Sequence, residues 1–229
     1  MACSSVTGIG FEAEQIAVTG ANSSDNVIDS LIRPYKVKMD AKMDSTIAIA
    51  DQDFTKGRPG GALNNWAADA IYNQVEQSIK DQLPKLCLLN VGGLRNPINK
   101  GNVSLGDIFK LMPFDNELVV LELNKEDYLG LLDYICKRGG EPFSGINITM
   151  DKEGNVINNS WPVNFENNEK VKVITSDYLA NGGDKMSFFQ NKEQYKVGLK
   201  LRDAIIDHCT KTDTITATLD GRIKIIDNE

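Results

Sequence analysis

The hydrophobic pattern of this chain switches between helical and strand periods over its first half. Residues 9–19 alternate apolar and polar side chains, which predicts a first strand. Apolar residues then recur at helical spacing over residues 28–43, where Pro34 indicates a kink or a break. Residues 45–51 predict a second strand, and a helix with one apolar face is predicted over residues 62–82.

The following segments continue this alternation of strand and helix. Residues 85–91 are largely apolar without alternation, which is typical of a strand that is buried on both faces. A short helix is predicted near residues 105–111, and a strand over residues 117–123. Asn124 is a suitable N-cap for a helix that ends at residues 137–140, where basic residues precede two glycines.

Strands and hairpins dominate the last third of the chain. Residues 145–151 and 155–161 flank a polar turn and predict a hairpin, and residues 170–176 predict another strand. We expect a last helix over residues 195–209. A final hairpin is expected over residues 214–226, with Asp-Gly at its turn.

This order of elements predicts an α+β fold in which helices pack on a mixed sheet, because strands and helices alternate early and hairpins cluster late. No internal repeat and no long polar linker divides the sequence. We therefore expect a single domain over residues 25–229. Residues 1–24 are expected to form an N-terminal tether and the first strand.

Composition restricts the function classes more than it restricts the fold. The 229 residues carry a formal net charge of -7, which argues against a general nucleic-acid binder because such proteins concentrate positive charge. His208 is the only histidine, and we interpret it as a surface or packing residue. Because a two-metal hydrolytic site draws on several His and Asp ligands, we expect no cofactor in this chain.

The four cysteines are widely spaced and form no CxxC pair. We interpret Cys87, Cys136 and Cys209 as free thiols. Cys3, in MACSS, resembles the lipidated cysteine of a bacterial lipoprotein, but the charged and apolar parts of a signal peptide do not precede it. Either the start is truncated or the similarity is accidental, and we favour truncation with Cys3 as a possible lipidation site.

The segment NVGGLR (residues 90–95) follows the buried strand, at a place where loops of α/β folds commonly hold ligands. Gly92 and Gly93 allow a close approach of the backbone, so that Asn90 and Arg95 could point at one phosphate. Arginine suits this contact because its guanidinium group is planar and permanently charged. The alternative is a plain strand–turn with a solvated arginine.

The segment LMPFDN (residues 111–116) places Phe114 in a loop between a helix and a strand. A phenylalanine at such a position is either part of the core or an exposed face on which a base stacks. Composition does not choose between these alternatives, and the residue taken alone favours the core.

The segment SDYLANGGD (residues 176–184) offers a second ring, Tyr178, and a carboxylate, Asp184. Gly182 and Gly183 allow the loop to fold tightly enough to aim that carboxylate. The alternative is a helix-capping loop in which the aspartate is only a cap.

Together and in this order, these segments resemble the C-terminal domain of the 5′-nucleotidase / UDP-sugar hydrolase / 2′,3′-cyclic phosphodiesterase family. KGRPGGALNNWAADA (residues 56–70) is similar to the arginine–proline stretch that precedes the family's LGNLxADA helix, although Asn64 stands where the family usually has glycine. Lys185 is a second departure, because glycine often follows the family's aspartate. The resemblance implies substrate contacts from Arg58, Asn90, Arg95, Phe114, Tyr178 and Asp184, with Gly92, Gly93, Gly182 and Gly183 shaping the loops.

In that family this domain binds the substrate, and a separate N-terminal metallophosphoesterase domain performs hydrolysis. The resemblance implies that this chain is the nucleotide-binding subunit of a two-chain 5′-nucleotidase and is inactive alone. The expected partners are a nucleotide or nucleoside monophosphate and a metallophosphoesterase that holds divalent metals. A non-catalytic nucleotide or sugar-nucleotide binding protein is the alternative. We expect a periplasmic or outer-surface location, with membrane contact only through a lipid anchor.

Overall fold

Six helices and eleven strands occupy the residues that the computed structural model describes, 13–16, 26–160 and 170–227. The helices are α1 Asn26–Met43, α2 Ala62–Glu76, α3 Leu105–Leu111, α4 Lys125–Lys137, α5 Asp177–Ala180 and α6 Leu201–Thr212. The strands are β1 Thr46–Ala50, β2 Lys85–Leu88, β3 Gly101–Ser104, β4 Glu117–Leu123, β5 Phe143–Ser144, β6 Ile148–Asp151, β7 Val156–Asn159, β8 Val171–Ser176, β9 Tyr195–Lys200, β10 Thr214–Ile215 and β11 Ile223–Ile226.

The chain divides into two compact units, Met1–Asp40 and Ala41–Glu229. Cys3 and most of the strand predicted over residues 9–19 lie outside the described residues. Helix α1 contains Pro34 in its interior and does not break there. The rest of the fold and all of the residues of the candidate site described below belong to the second unit.

A five-stranded sheet in the order β5-β2-β8-β4-β9 is the largest sheet of the second unit. Strands β2 and β8 are parallel, and Cys87 pairs with Ile174. Strand β4 is antiparallel to β8, with Leu118 paired to Ser176. The edge strands β5 and β9 are also antiparallel to their neighbours. This mixed sheet, with helices packed on it, confirms the α+β prediction.

Neighbouring residues of the central strands pack on opposite faces of this sheet. Leu86 and Leu88 of β2 belong to the apolar cluster that α4 joins, whereas Cys87 and Leu89 belong to the cluster that α2 and α6 join. Each face therefore has an apolar layer of its own. Burial on both faces explains why this strand is continuously apolar.

Two three-stranded sheets have the orders β10-β1-β3 and β11-β6-β7. The hairpin predicted from residues 145–161 is confirmed, since β6 and β7 pair antiparallel. The hairpin predicted over residues 214–226 is wrong, because β10 pairs with β1 and β11 pairs with β6. Buried Arg222 between these strands donates hydrogen bonds to Asp69 of α2 and to the carbonyl oxygen of Phe143. These contacts hold the start of β11 beside α2 and β5.

The helix predicted over residues 195–209 is wrong in its first part. The segment pairs as strand β9 with the edge of β4, where Lys200 lies opposite Glu117. Gly198 has a φ of +78°, which an α-helix does not contain. The helix begins only at Leu201. Tyr195, Val197 and Leu199 recur at every second position, and this period of two correctly indicates a strand.

The predicted start of α4 is confirmed. The side-chain oxygen of Asn124 accepts a hydrogen bond of 3.0 Å from the backbone N–H of Asp127, as an N-cap does. The helix ends at Lys137, and Gly139 and Gly140 follow with positive φ. The predicted end at the two glycines is therefore confirmed as well.

Candidate functional site

Three strands of the five-stranded sheet bring the predicted motifs to one edge. Because β2 and β8 are parallel, the loops that follow them leave the sheet at the same end. Strand β4 runs the other way, and its second residue, Leu118, pairs with Ser176 at the end of β8. The loop that precedes β4 therefore lies at this end too. Segments that are distant in sequence meet here.

A cleft of about 390 Å³ opens at this edge. It is lined by Asn90, Gly92, Gly93, Arg95, Phe114, Asn116, Tyr178 and Asp184. Seven of these eight residues are predicted site residues, and Asn116 is the addition. Arg58, Gly182 and Gly183 do not belong to the lining.

The two predicted aromatic residues present their rings at this cleft. Phe114 and Tyr178 are each 47% exposed, whereas Phe54 and Phe143 of the core are 0% and 1% exposed. The sequence left open whether Phe114 belongs to the core, and the structure places it at the surface. Two half-exposed rings beside one cleft offer flat faces to a planar ligand.

The glycine loop after β2 brings Asn90 and Arg95 to the cleft. Residues 91–93 form a single turn of 3-10 helix, and Asn90 immediately precedes it as the N-cap residue. A Cβ atom at Gly93 would lie 2.8 Å from the side-chain oxygen of Asn90, so only glycine fits there without movement. Arg95 is exposed, and its guanidinium group donates to the carbonyl oxygen of Gly92 at 3.4 Å.

The carboxylate of Asp184 is held by two side chains of the cleft. Asn90 Nδ2 donates to one oxygen at 2.6 Å, and the Tyr178 hydroxyl donates to the other at 2.9 Å. Asp184 has a φ of 51°, in the left-handed region that is uncommon for residues other than glycine. The Tyr134 hydroxyl donates to the backbone carbonyl of Asp184 at 2.9 Å and helps to hold this conformation.

The two glycines before Asp184 have steric reasons to be glycine. Gly182 has a φ of +87°, and a Cβ atom there would lie 2.4 Å from the side chain of Gln190. At Gly183 a Cβ atom would lie 2.5 Å from the Tyr178 ring. Both glycines therefore shape the loop from outside the cleft lining. Lys185, the departure noted in the sequence, also adopts positive φ, at 67°.

Glu141 supports the glycine loop from behind. Its side chain is fully buried, and one carboxylate oxygen accepts a hydrogen bond of 2.7 Å from the backbone N–H of Val91. The other oxygen accepts from Arg138 at 2.6 Å and from Arg58 at 3.1 Å. A buried carboxylate with three charged or backbone donors is well compensated.

Arg58, predicted as a phosphate contact, has these other partners in the structure. Besides Glu141, its guanidinium group donates to the backbone carbonyl oxygens of Arg138 and Gly140. The structure does not bring Arg58 to the cleft lining with the other predicted residues. Its phosphate contact stays a prediction.

Asn116, Glu141 and Tyr134 are residues of this site that sequence reasoning missed. Asn116 is the last residue of the segment LMPFDN, and a polar residue immediately before a buried strand was an available signal. Glu141 follows the predicted helix end. A charged residue next to two glycines is normally expected at the surface, so the sequence did not indicate that Glu141 is buried. Tyr134 lies on α4, and its contact with Asp184 depends on tertiary structure alone.

Within residues 13–16, 26–160 and 170–227, no group of three or more His, Cys, Asp or Glu could hold a metal ion. His208 packs edge-on against Trp66, with ring centres 6.0 Å apart. Cys87, Cys136 and Cys209 are free and buried, which confirms that prediction. Burial raises the pKa of Cys136 to about 11 and that of Cys209 to about 12, which makes both thiols unreactive at neutral pH.

No helix among the described residues is both long enough and apolar enough to cross a membrane.

Comparison with known proteins gives a family match over most of the second unit. A family model of the 5′-nucleotidase C-terminal domain matches residues 41–191. An apyrase from Tabanus yao is 28% identical over 164 residues, which cover 61% of this chain and 29% of that protein. Protein UshA from Yersinia enterocolitica is 24% identical over 183 residues, which cover 75% of this chain and 32% of that protein. The chain thus spans about a third of the length of these curated relatives.

Solved structures agree on the fold. The crystal structure of a 5′-nucleotidase precursor from Thermus thermophilus has a TM-score of 0.70 at 22% identity, and the match covers 89% of this chain and 43% of that one. The Haemophilus influenzae NAD nucleotidase NadN has a TM-score of 0.67 at 20% identity, and the match covers 90% of this chain and 42% of that one. At such identities the likeness is one of fold.

Proposed function

We propose, on the premise that this chain belongs to the family of 5′-nucleotidase C-terminal domains, that it is the substrate-recognition part of a two-chain 5′-nucleotidase. It binds a nucleotide in the cleft, and a separate metallophosphoesterase chain holds the divalent metals. One observation carries the proposal. Phe114 and Tyr178, half-exposed rings from distant segments, line a single cleft together with Arg95 and Asp184.

Each lining group has a role that fits its chemistry. The two rings stack on the base, and Asp184 accepts hydrogen bonds from the ribose hydroxyl groups. Asn90 and the exposed guanidinium group of Arg95 contact the phosphate. Binding energy from the base and the sugar then fixes the position of the phosphate, which lowers the entropic part of the barrier to its hydrolysis. The partner's metals would polarise the phosphate and activate water.

The strength of these contacts is sufficient for specific binding. Loss of one stack between a base and an aromatic ring typically costs about 1–3 kcal/mol. A hydrogen bond to a charged group contributes about 1.5–3 kcal/mol. Part of this total offsets the lost translational and rotational freedom of the ligand. We therefore expect moderate affinity for nucleoside monophosphates, with the rings as the largest contributors.

Replacing either ring should weaken binding of every nucleoside monophosphate. Phe114→Ala or Tyr178→Ala removes one stacking face, and we expect the binding free energy of adenosine 5′-monophosphate to fall by about 1–3 kcal/mol. Guanosine 5′-monophosphate should lose a similar amount, because stacking tolerates either purine. Isothermal titration calorimetry measures both affinities.

The matched control is Tyr195→Ala. Tyr195 is 43% exposed, close to the 47% of Tyr178, and it lies outside the cleft lining. Its removal should leave both affinities unchanged. If the wild-type chain binds a nucleotide and neither Phe114→Ala nor Tyr178→Ala weakens it, the two rings do not hold the base.

The purified chain should bind nucleotides without hydrolysing them. We expect nucleoside monophosphates to raise the thermal unfolding midpoint equally with and without a chelator, because the ligand stabilises the folded state by mass action and the cleft uses no metal of its own. Phosphate release should stay at the background rate. Metal-dependent turnover that persists through repeated purification and is lost in Asp184→Asn would contradict the division of labour between two chains.

The proposed location follows from the same premise. We place the protein in the periplasm or on the outer surface, where a lipid on Cys3 would attach it to a membrane. Mass spectrometry of the native N-terminus checks the lipid, and an unmodified N-terminus in a cytosolic fraction would disprove the location.

A further inference from the structure

Arg202 is a buried cation that contacts the loop bearing Phe114. It is the second residue of α6 and only 8% exposed. Its Nη1 donates to the carbonyl oxygens of Met112 and Phe114, at 3.2 Å and 3.3 Å. Its Nη2 donates to the carboxylate of Asp115. Every hydrogen-bond acceptor of this guanidinium group among the described residues therefore belongs to residues 112–115.

The same helix end holds the loop at a second point. The backbone N–H of Leu201 donates to the carbonyl oxygen of Asn116 at 2.9 Å. Residues 112–116 lie between the end of α3 and the start of β4, outside both elements. The guanidinium carbon of Arg202 lies 4.2 Å from the centre of the Phe109 ring on α3. The arginine thus joins α3, the loop and α6.

Side-chain packing alone does not fix the Phe114 ring at the cleft. The residue is 47% exposed, and the second cavity that it lines together with Leu89, Leu94, Met112 and Leu201 has a volume of only about 30 Å³, which is room for little more than water. The position of the ring therefore depends on the backbone on both sides of Phe114. Arg202 contacts the carbonyl groups of Met112 and Phe114, and so fixes this backbone.

We propose that Arg202 is a positioning residue that holds the Phe114 ring at the cleft for the nucleotide base, an inference that rests on the proposed function. It touches no ligand itself. Its planar fork reaches several acceptors at once, which a lysine ammonium group on a single stem does not reproduce. Arg202→Lys should therefore weaken only the part of the affinity that depends on the base.

The experiment compares two ligands on the full chain. Adenosine 5′-monophosphate contains the base, and ribose 5-phosphate contains the same sugar and phosphate without it. NMR titration gives both dissociation constants. We expect Arg202→Lys to bind adenosine 5′-monophosphate about tenfold more weakly, the loss of roughly one stack, and to bind ribose 5-phosphate as the wild type does. Phe114→Ala should show the same pattern.

Arg222→Lys is the matched control. Arg222 is also 8% exposed, and it pairs with Asp69 and Asp220 away from the cleft lining. Its replacement should lower the unfolding midpoint but keep the ratio of the two dissociation constants. Asp115→Ala is the second test variant, because its side chain is 66% exposed and the change leaves the core intact. Asp115→Ala should weaken adenosine 5′-monophosphate relative to ribose 5-phosphate, as Arg202→Lys does, but by a smaller factor. This variant tests the inference even if Arg202→Lys does not fold.

The outcomes separate this inference from the proposed function. A wild-type chain that binds neither ligand contradicts the proposed function. Suppose that the wild-type chain binds the nucleotide and that Phe114→Ala weakens only binding of adenosine 5′-monophosphate. If Arg202→Lys and Asp115→Ala then leave the ratio of the two dissociation constants unchanged, the role of Arg202 is overturned and the proposed function stands. An equal loss for both ligands in Arg202→Lys and Asp115→Ala also overturns it, because positioning of the ring changes only the base-dependent part.

Discussion

Tyr178 contributes both a ring and a hydroxyl group to the cleft. The ring needs only exposure to stack on a base. The hydroxyl group donates to the Asp184 carboxylate at 2.9 Å and accepts from the Asp184 backbone N–H at 3.3 Å. These bonds orient the carboxylate of Asp184, a residue whose backbone lies in the left-handed region. A phenylalanine at this position would stack equally well, but it would leave Asp184 with Asn90 as its remaining side-chain partner in the cleft.

Tyr178→Phe should separate these two contributions. We expect a loss of about 1 kcal/mol in the binding free energy of adenosine 5′-monophosphate, the usual value of one hydrogen bond. A 2′,3′-dideoxy nucleotide should bind the variant and the wild type equally, because it has no hydroxyl groups for Asp184. Calorimetry with both ligands makes the comparison. Equal losses for the two ligands would show that the hydroxyl group acts on stacking and not on the sugar.

Single residues also show where sequence reasoning ends. The family resemblance of three short segments predicted Asn90, Arg95, Phe114, Tyr178 and Asp184 as site residues, and the structure brings all five to one cleft. The partners that hold them were not visible in that way. Such contacts join positions that are distant in sequence, and local patterns contain no information on them.

At the scale of elements, the loops of the cleft are held from behind by charged or polar side chains of other elements. Glu141 accepts from the N–H of Val91 in the glycine loop, and Tyr134 of α4 donates to the loop of Asp184. Arg202 of α6 does the same for the loop of Phe114. Each motif thus has a support from outside the motif. A site built on loops gains its precision from such supports.

Strands in the middle of the chain were predicted well, and the strands near the C-terminus were not. Strands β4 and β8 and the hairpin of β6 and β7 follow their apolar patterns. The segment from Thr214 to Ile226 has the pattern of a hairpin and an Asp-Gly turn, yet its two strands join different sheets. Arg222 donates a hydrogen bond to Asp69 of α2, a tertiary contact that the local pattern of the turn does not contain.

At the scale of the whole molecule, His208 connects pH to stability. Burial lowers its pKa below the ordinary value of 6.5, although the nearby Asp69 partly opposes this. The unfolded chain therefore binds more protons than the folded chain at pH values between the lowered pKa and 6.5. The free energy of unfolding rises with pH across this window and levels off above it.

His208→Gln should remove this dependence. We expect the wild type to lose more of its unfolding free energy than the variant when the pH falls from about 7.5 to about 5.5. Urea unfolding at several pH values measures the difference. No other histidine is present in the chain to contribute in this window. If the two proteins lose stability in parallel, the imidazole is not the group that titrates.

Because β2 and β8 pair in parallel although they are distant in sequence, the proposed binding site is assembled only when the sheet folds. One ring precedes β4, the other follows β8, and the guanidinium group follows β2, so no continuous stretch of a few dozen residues contains the complete recognition surface. Ligand recognition is therefore a property of the cooperatively folded sheet. We therefore expect a nucleotide bound at this edge to slow global opening, so that amides deep in β2, β4 and β8 gain protection from hydrogen exchange together with those of the loops.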